Sequence, residues 1–383
     1  MIRRAALRAF ALPLARPLAT AHGVVERRSG LLIELEDAAG LRGFGEVTPL
    51  PDFGGEALPE ARRSLEQALA VRLEARAGEG GIGASDGVGA TVHPHGIDPT
   101  PCATAALDAA EADLSARRAG DSLAGWLHRR AGTPGAPASR VAVQALVAGG
   151  TPEEVDENAG RALVAGFRAF KLKLAVDRNA PGLGVDLDRV AALRGRVGQA
   201  ARIRLDANEA WRGEEALRAL DRLAPFAIDF VEQPVDRADV DGLQRLAREA
   251  AIPVAADEAM QGALAAACLS EGGPPVLIVK PALLGGALGA LSIAVRARET
   301  GPRVVFSTFL DGAVGRALPL ALAAAVGAGD EVHGLGTGRL LTRDLGPAER
   351  LDAGGFEVGQ GAGIGFTPSG PDLESTPVFE VSR

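Results

Sequence analysis

Lysines and carboxylates recur down the second half of this 383-residue chain, each at the end of a short apolar run. Lys173 ends Phe170-Lys171-Leu172-Lys173, and Asp206 ends Ile203-Arg204-Leu205-Asp206, ahead of Ala207-Asn208. Glu232 follows Phe230-Val231 and precedes Gln233-Pro234. Asp257 follows Val254-Ala255-Ala256 and precedes Glu258, and Lys280 ends Leu277-Ile278-Val279, before Pro281. Three carboxylates gathered in one small pocket would raise one another's pKa unless a cation neutralised them. With no histidine or cysteine beside them, Asp206, Glu232 and Asp257 suit a hard divalent ion, Mg²⁺ or Mn²⁺, rather than Zn²⁺. Lys171 and Lys173 stand two apart, so on a strand they share a face. A lysine beside another cation and a metal has a lowered pKa and can act as a base.

The elements that position these groups follow from their spacing. The five charges lie roughly 23 to 33 residues apart, close to the length of one strand, one helix and two loops. Charges in phase with that period fall at the same end of successive parallel strands, which in a βα-barrel is the catalytic face. Apolar runs at 141–147, 169–175, 202–208, 229–234, 253–258, 276–281, 303–309 and 331–337 alternate with alanine- and arginine-rich helical stretches. Eight such runs fit a closed barrel. An open doubly wound sheet would gather its site at one switch point, whereas these charges come from five consecutive runs. Any one acid alone is equally explained as a helix cap or a loop surface group.

Ahead of the barrel, residues 2–45 read as antiparallel strands with a turn at Asp37-Ala38-Ala39-Gly40, followed by helices over 58–75 and 102–119. Residues 77–100 are glycine-rich with no hydrophobic period, and Ala131 to Pro137 read as a linker. Residues 1–130 are thus expected to form an α+β domain, 138–345 the barrel, and 346–383 a C-terminal segment packing back on the first domain. Residues 1–21 loosely mimic a secretory leader, but Arg8 and Arg16 interrupt any apolar core, and they read as the first strand. A net charge of −8 and a pI near 5.4 argue against nucleic-acid or anionic-membrane partners. Two distant cysteines, Cys102 and Cys268, suggest a reducing cytoplasm. The most apolar later stretch, 317–328, is too short to span a bilayer.

In this order, Lys-x-Lys, Asp-x-Asn, Glu-Gln-Pro, Asp-Glu and Lys-Pro resemble the enolase superfamily in its muconate-lactonizing branch. The resemblance implies an N-terminal α+β capping domain and a modified (β/α)7β TIM-like barrel. It also implies one Mg²⁺ held by Asp206, Glu232 and Asp257, and proton abstraction next to a substrate carboxylate through an enediolate. Lys173 is then the base, Lys280 its counterpart on the opposite face, and Lys171 a catalytic neighbour. Asn208, Glu258, His22, Ser307, Thr308 and Gly285 are substrate-contacting or supporting groups. Within the branch, the segments 17–23, 43–54, 280–286 and 333–337 are most similar to the o-succinylbenzoate synthases, whose capping loops near 17–23 and 48–54 close over the substrate. That similarity implies a small carboxylate substrate, dehydrated in menaquinone biosynthesis, and is compatible with a homo-oligomer.

The same five groups also serve N-acylamino-acid racemases and dipeptide epimerases, and a non-catalytic barrel scaffold is the reading from another class. Ala259, where a hydroxyl residue is common, and Asp311, where glutamate is usual, depart from the family pattern beside the pocket. His93 and His95 read as incidental loop residues, His128 as a helix-surface residue, and His333 as part of the glycine-rich final strand.

Overall fold

The computed structural model describes residues 1–20, 23–74, 98, 100–174, 183–261, 264–327 and 330–383. His22, His93, His95 and nearly all of the 77–100 segment lie outside the described residues.

The first domain is an antiparallel sheet packed on helices. Strands β1 (Ile2–Thr20), β2 (Gly23–Asp37) and β3 (Arg42–Val47) pair in sequence order. Helices α1 (Leu58–Glu74), α2 (Pro101–Arg118) and α3 (Leu123–Ala131) follow. Alternation along β2 sends Leu31, Ile33 and Leu35 into a core with Leu65, Leu69, Ala106 and Ala110. Helix α2 lies so close to β3 that a Cβ on Gly43 or Gly45 would strike its backbone or side chains, so only glycine fits there.

After the 131–137 linker the period changes to parallel βα units. The strands are β4 (Arg140–Val143), β5 (Ala145–Val147), β6 (Ala169–Lys173), β7 (Arg202–Asp206), β8 (Phe230–Glu232), β9 (Val254–Ala256), β10 (Val276–Val279), β11 (Arg303–Phe306) and β12 (Val332–His333). Between them run α4 (Pro152–Val164), α5 (Leu183–Val197), α6 (Gly213–Leu223), α7 (Val240–Glu249), α8 (Leu264–Cys268), α9 (Gly286–Thr300) and α10 (Ala313–Val326). Strands β5 to β11 form one parallel sheet in chain order. It curls shut: a bridge from Ser307 to Gly334 joins β11 to β12, and β12 pairs with β4, which continues through Gln144 into β5. The result is a modified (β/α)7β barrel whose eighth strand is followed by a 3-10 turn (Gly336–Leu340) instead of a helix.

Outward residues such as Phe170, Leu172, Ile203 and Leu205 pack on the helices in the larger core. The interior is narrow and holds Phe230, Ala255, Val276, Ile278 and Val305. The C-terminal stretch divides between the two bodies. Strands β13 (Leu351–Asp352) and β14 (Gly355–Glu357) form a hairpin that pairs with β4, and β15 (Phe379–Ser382) adds to the outer edge of β1. Among the described residues no helix is long and apolar enough to cross a membrane.

Candidate active site

Strand register alone sets the level of the charges. Lys173 pairs with Asp206, and Asp206 with Glu232, so these three leave adjacent strands at one height on the inner face. Asp257 follows β9 and Lys280 follows β10, at the same end. In the eight-strand ring, three strands separate β6 from β10 in either direction, so Lys173 and Lys280 approach from opposite walls.

The three lysines are held differently. Lys171 Nζ donates to Asp206 Oδ2 at 2.8 Å and to Glu232 Oε1 at 2.5 Å. Lys280 Nζ donates to Asp257 Oδ2 at 2.6 Å. Among the described residues Lys173 Nζ makes only a 3.3 Å bond, to the neutral Oδ1 of Asn208. Asn208 in turn donates through its backbone N (3.1 Å) and its Nδ2 to Asp206 Oδ1. From outside the barrel, Arg189 Nη2 donates to the carbonyl of Lys173 at 2.9 Å and ties down the end of β6.

Burial works against the charge on Lys171, but Asp206, Glu232 and Asp257 outweigh it and hold its pKa above the ordinary lysine range. Lys280 is raised in the same way, by Asp257, Glu258 and Glu232 against its own desolvation. Desolvation alone would raise Asp206; Lys171, Lys173 and Lys280 bring it below the usual carboxylate value. Glu232 goes the other way. Desolvation pushes it well up, and the charges of Asp206 and Asp257 add to this against the help of Lys171. Glu258 is pushed up to about 7 by desolvation and by Asp257.

These observations test whether a cation suits the site. The donor set is all oxygen, its acids repel one another, and Glu258 Oε2 is buried with no hydrogen-bond partner among the described residues. Among the described residues no three acid, histidine or cysteine side chains are gathered tightly enough to hold a metal as they stand, and ammonium groups contact Asp206, Glu232 and Asp257. The chemistry of the set nonetheless fits a hard divalent ion, with Asp206, Glu232 and Asp257 as its holders.

Supporting groups complete the mouth. Gln233 Oε1 accepts from the backbone N of Asp257 (2.9 Å) and of Ala259 (3.1 Å), which fixes the turn carrying Asp257. Asn208, Glu209, Gln233 and Leu310 all sit at positive φ after strand ends. Such backbone is costly for non-glycine residues and collects at functional sites. Ser307 and Thr308 line the late-strand side, the Thr308 hydroxyl 2.8 Å from that of Thr337. Gly285 follows Lys280 by five residues in the turn after β10. It is the left-handed residue before α9, where Gly286 abuts Ala105 of α2.

Two histidines are structural. His333 Nδ1 accepts from Phe306 N at 3.0 Å across the barrel seam, and burial holds its pKa down to about 4. His128 corrects the surface reading. It is buried, with Nδ1 2.7 Å from the carbonyl oxygen of Ala325 and Nε2 3.1 Å from that of Gly135. An imidazole has an apolar body as well as two polar nitrogens, so helical spacing alone does not reveal which side it faces.

Two inward residues escaped the sequence reading. Leu146 pairs in register with Lys171, so it shares that inward face; it stands near the C-terminal end of β5 and stays 41% exposed there. Arg204 stands two before Asp206 and shares its face, at the barrel floor. The alternation that placed Lys171 beside Lys173 would have found it.

The family model described as "Enolase C-terminal domain-like" matches residues 154–373, and a second, "MenC, N-terminal domain", matches residues 2–80. The chain is 31% identical over 323 residues to a hydrophobic dipeptide epimerase of Roseobacter litoralis, covering 82% of this chain and 83% of the relative. It is 34% identical over 215 residues to the o-succinylbenzoate synthase of Thermobifida fusca, covering 56% and 65%. A dipeptide epimerase from Enterococcus faecalis, solved with Mg and L-Leu-L-Tyr, superposes with a TM-score of 0.79 at 26% identity, covering 95% of this chain and 99% of that one.

Proposed function

The chain belongs to the enolase superfamily, and on that premise we propose that it is an Mg²⁺-dependent o-succinylbenzoate synthase, a lyase. It dehydrates 2-succinyl-6-hydroxy-2,4-cyclohexadiene-1-carboxylate by lysine proton abstraction next to a carboxylate. The observation that carries the lysine chemistry is the contrast among the three ammonium groups. Lys171 and Lys280 are bound to carboxylates, while Lys173 rests on a neutral amide oxygen. Among the described residues Lys173 is the one lysine of the three that no carboxylate engages, so its amine is the one free to meet a substrate carbon, which makes it the group suited to act as base.

Mg²⁺ held by Asp206, Glu232 and Asp257 supplies Lewis-acid stabilisation for the negative charge that develops on the substrate carboxylate. Lys173 takes the proton from the adjacent carbon and returns it to the departing hydroxyl, which leaves as water. Lys280, on the opposite wall, faces the developing charge as a fixed cation. Asn208 keeps Lys173 and Asp206 in register, and Gln233 holds the Asp257 turn.

Two observations support dehydration over dipeptide epimerisation. The "MenC, N-terminal domain" model covers the strands that build the first domain. The late-strand rim, Ser307, Thr308, Gly334, Gly336 and Thr337, is also uncharged, and Asp311 beyond it is engaged by Thr48 and by the backbone N of Phe309. A dipeptide carries an ammonium that needs an anionic partner, whereas a substrate whose charges are carboxylates does not.

The opposed placement of Lys173 and Lys280 favours a second reading, N-acylamino-acid racemisation, because two bases on opposite faces of one carbon are what inversion requires. An ultraviolet assay of the cyclohexadiene substrate with and without Mg²⁺ tests the proposal. Mg²⁺-dependent loss of the diene signal is expected. A flat trace, together with deuterium exchange into an N-acylamino acid, would replace dehydration by racemisation.

A further inference from the structure

Arg28, in β2, is 3% exposed, and no ion pair among the described residues includes it. Asp311 and Glu46 act on it through their charge, but a guanidinium with no carboxylate in hydrogen-bond contact must spend its N–H groups on other acceptors. Arg28 spends them on backbone carbonyls from two separate segments. Nε donates to Leu310 O at 3.0 Å, and Nη2 reaches Phe309 O at 3.5 Å, in the turn after β11. Nη2 also donates to Thr48 O, and Nη1 to Pro49 O at 3.5 Å, where the chain leaves β3.

The turn it grips is strained and held from several sides. Leu310 is left-handed, at φ +58°, a conformation that persists in a leucine only when its surroundings over-determine it. Asp311 Oδ2 accepts from Phe309 N at 2.7 Å, and Thr48 Oγ1 donates to Asp311 Oδ1 at 3.1 Å. Glu46 of β3 accepts from Gly312 N at 2.5 Å and Gly315 N at 2.9 Å, so the first domain caps α10 of the barrel. The far end of the same loop is tied separately, with Gln261 Nε2 donating to Phe53 O at 3.2 Å, just beyond the Asp257-Glu258 turn. Ser307 and Thr308 lie immediately before the gripped turn.

We propose that Arg28 is a positioning residue that clips the 48–54 loop to the 309–311 turn, so that one wall of the pocket over the barrel mouth is set before ligand arrives. The clip rests on the reading of that mouth as the active site, and it holds for whichever carboxylate enters. A preset wall spares the ligand the entropy of ordering the loop. Loss of the clip therefore acts on KM before kcat.

Hydrogen exchange on the full-length Arg28→Met and Arg28→Lys proteins, read beside thermal melting, tests the clip without any substrate. Arg28→Met is expected to speed exchange about tenfold or more in peptides spanning 48–54 and 307–312, while peptides from β7 and β8 stay unchanged. Arg28→Lys, which restores only part of the donor set, should fall between. On the substrate that the wild type turns over, Arg28→Met should raise KM about tenfold with a smaller loss in kcat. Unchanged exchange in both segments of a folded Arg28→Met protein would overturn the proposal, as would a loss confined to kcat. Should Arg28→Met not fold, Gln261→Ala takes its place and should loosen 48–54 alone; unchanged exchange there would overturn the two-ended anchoring. A wild type inert towards every carboxylate tested would remove the proposed reaction, while the exchange measurement still decides the clip.

Discussion

At the floor of the barrel Arg204 and Arg303 face Asp229 and Glu331; at its mouth Lys171, Lys173 and Lys280 face Asp206, Glu232 and Asp257. Both networks gather charge at the ends of barrel strands, yet they use their bonds differently. Arg204 is fully buried and donates to Asp229 (2.8 Å), Glu331 (2.5 Å), Gln144 Oε1 (3.0 Å) and Val332 O (2.5 Å), with its guanidinium 4.6 Å over the Phe230 ring. Arg303 donates to the same two acids. Despite desolvation, these arginines hold Asp229 and Glu331 below the usual carboxylate range. The mouth has Glu232 and Glu258 pushed up, a buried Glu258 Oε2 with no partner among the described residues, and left-handed residues at its strand ends. Satisfied charge built from rigid guanidinium forks makes structure. Charge left crowded and partly unpaired keeps capacity for a ligand.

Substitutions should therefore have opposite signatures at the two ends. The largest effect belongs to the mouth. Glu232→Gln should lower Mg²⁺-dependent turnover by about 10³-fold or more, since it removes a ligand of the Lewis acid. Because it also relieves like-charge crowding, its melting temperature in Mg²⁺-free buffer should equal or exceed that of the wild type. Turnover assays and calorimetry on one preparation check both halves, and a large drop in stability would erase the contrast. At the floor, Arg204→Met should cost about 3–5 kcal/mol in urea unfolding by stranding Asp229 and Glu331, as expected for a broken buried pair. Mg²⁺ affinity measured on the folded protein should not change.

The junction between the domains sharpens the comparison through pH. Desolvation and the neighbouring Asp311 push Glu46 up from its ordinary 4.5 to about 7. The folded state thus holds this proton more tightly than the unfolded chain. Its stabilising contribution is complete below pH 4.5 and is lost as pH rises through 7. Over that window Glu46 should remove about 3 kcal/mol of stability. Glu46→Gln should flatten the slope in unfolding measured from pH 4.5 to 8, and an unchanged slope would assign it to other groups. The smallest effect expected is at Leu146. Trimming it to alanine takes one partly exposed apolar contact from the mouth and should raise KM a few-fold, with kcat nearly unchanged.

Much of the architecture could be read in the chain because a parallel barrel repeats itself. Each βα unit returns a short apolar run to the same level, so Lys173, Asp206 and Glu232 could be placed on one face from spacing alone. Alternation gave Lys171 and Lys173 a common side. What stayed hidden lies where side chains bind backbone rather than one another. Arg28 looks like a surface arginine in Glu26-Arg27-Arg28-Ser29, because its four acceptors are carbonyls, which every residue has. His128 is hidden for the same reason. Gly285 came from the resemblance of the 280–286 segment, and the structure adds its left-handed φ at the start of α9. Arg204 was legible by parity, and only attention to the acid two residues on kept it from view.

The central claim is that Lys173, the ammonium resting on a neutral oxygen, is the base. The most direct test compares single-turnover loss of the diene signal for the wild type, Lys173→Ala and Lys171→Ala, at saturating Mg²⁺. Lys173→Ala should fall by about 10³-fold or more, with Mg²⁺ affinity and melting temperature preserved, whereas Lys171→Ala should alter Mg²⁺ affinity as well, because it releases Asp206 and Glu232. A Lys173→Ala protein that turns over at the wild-type rate would contradict that claim.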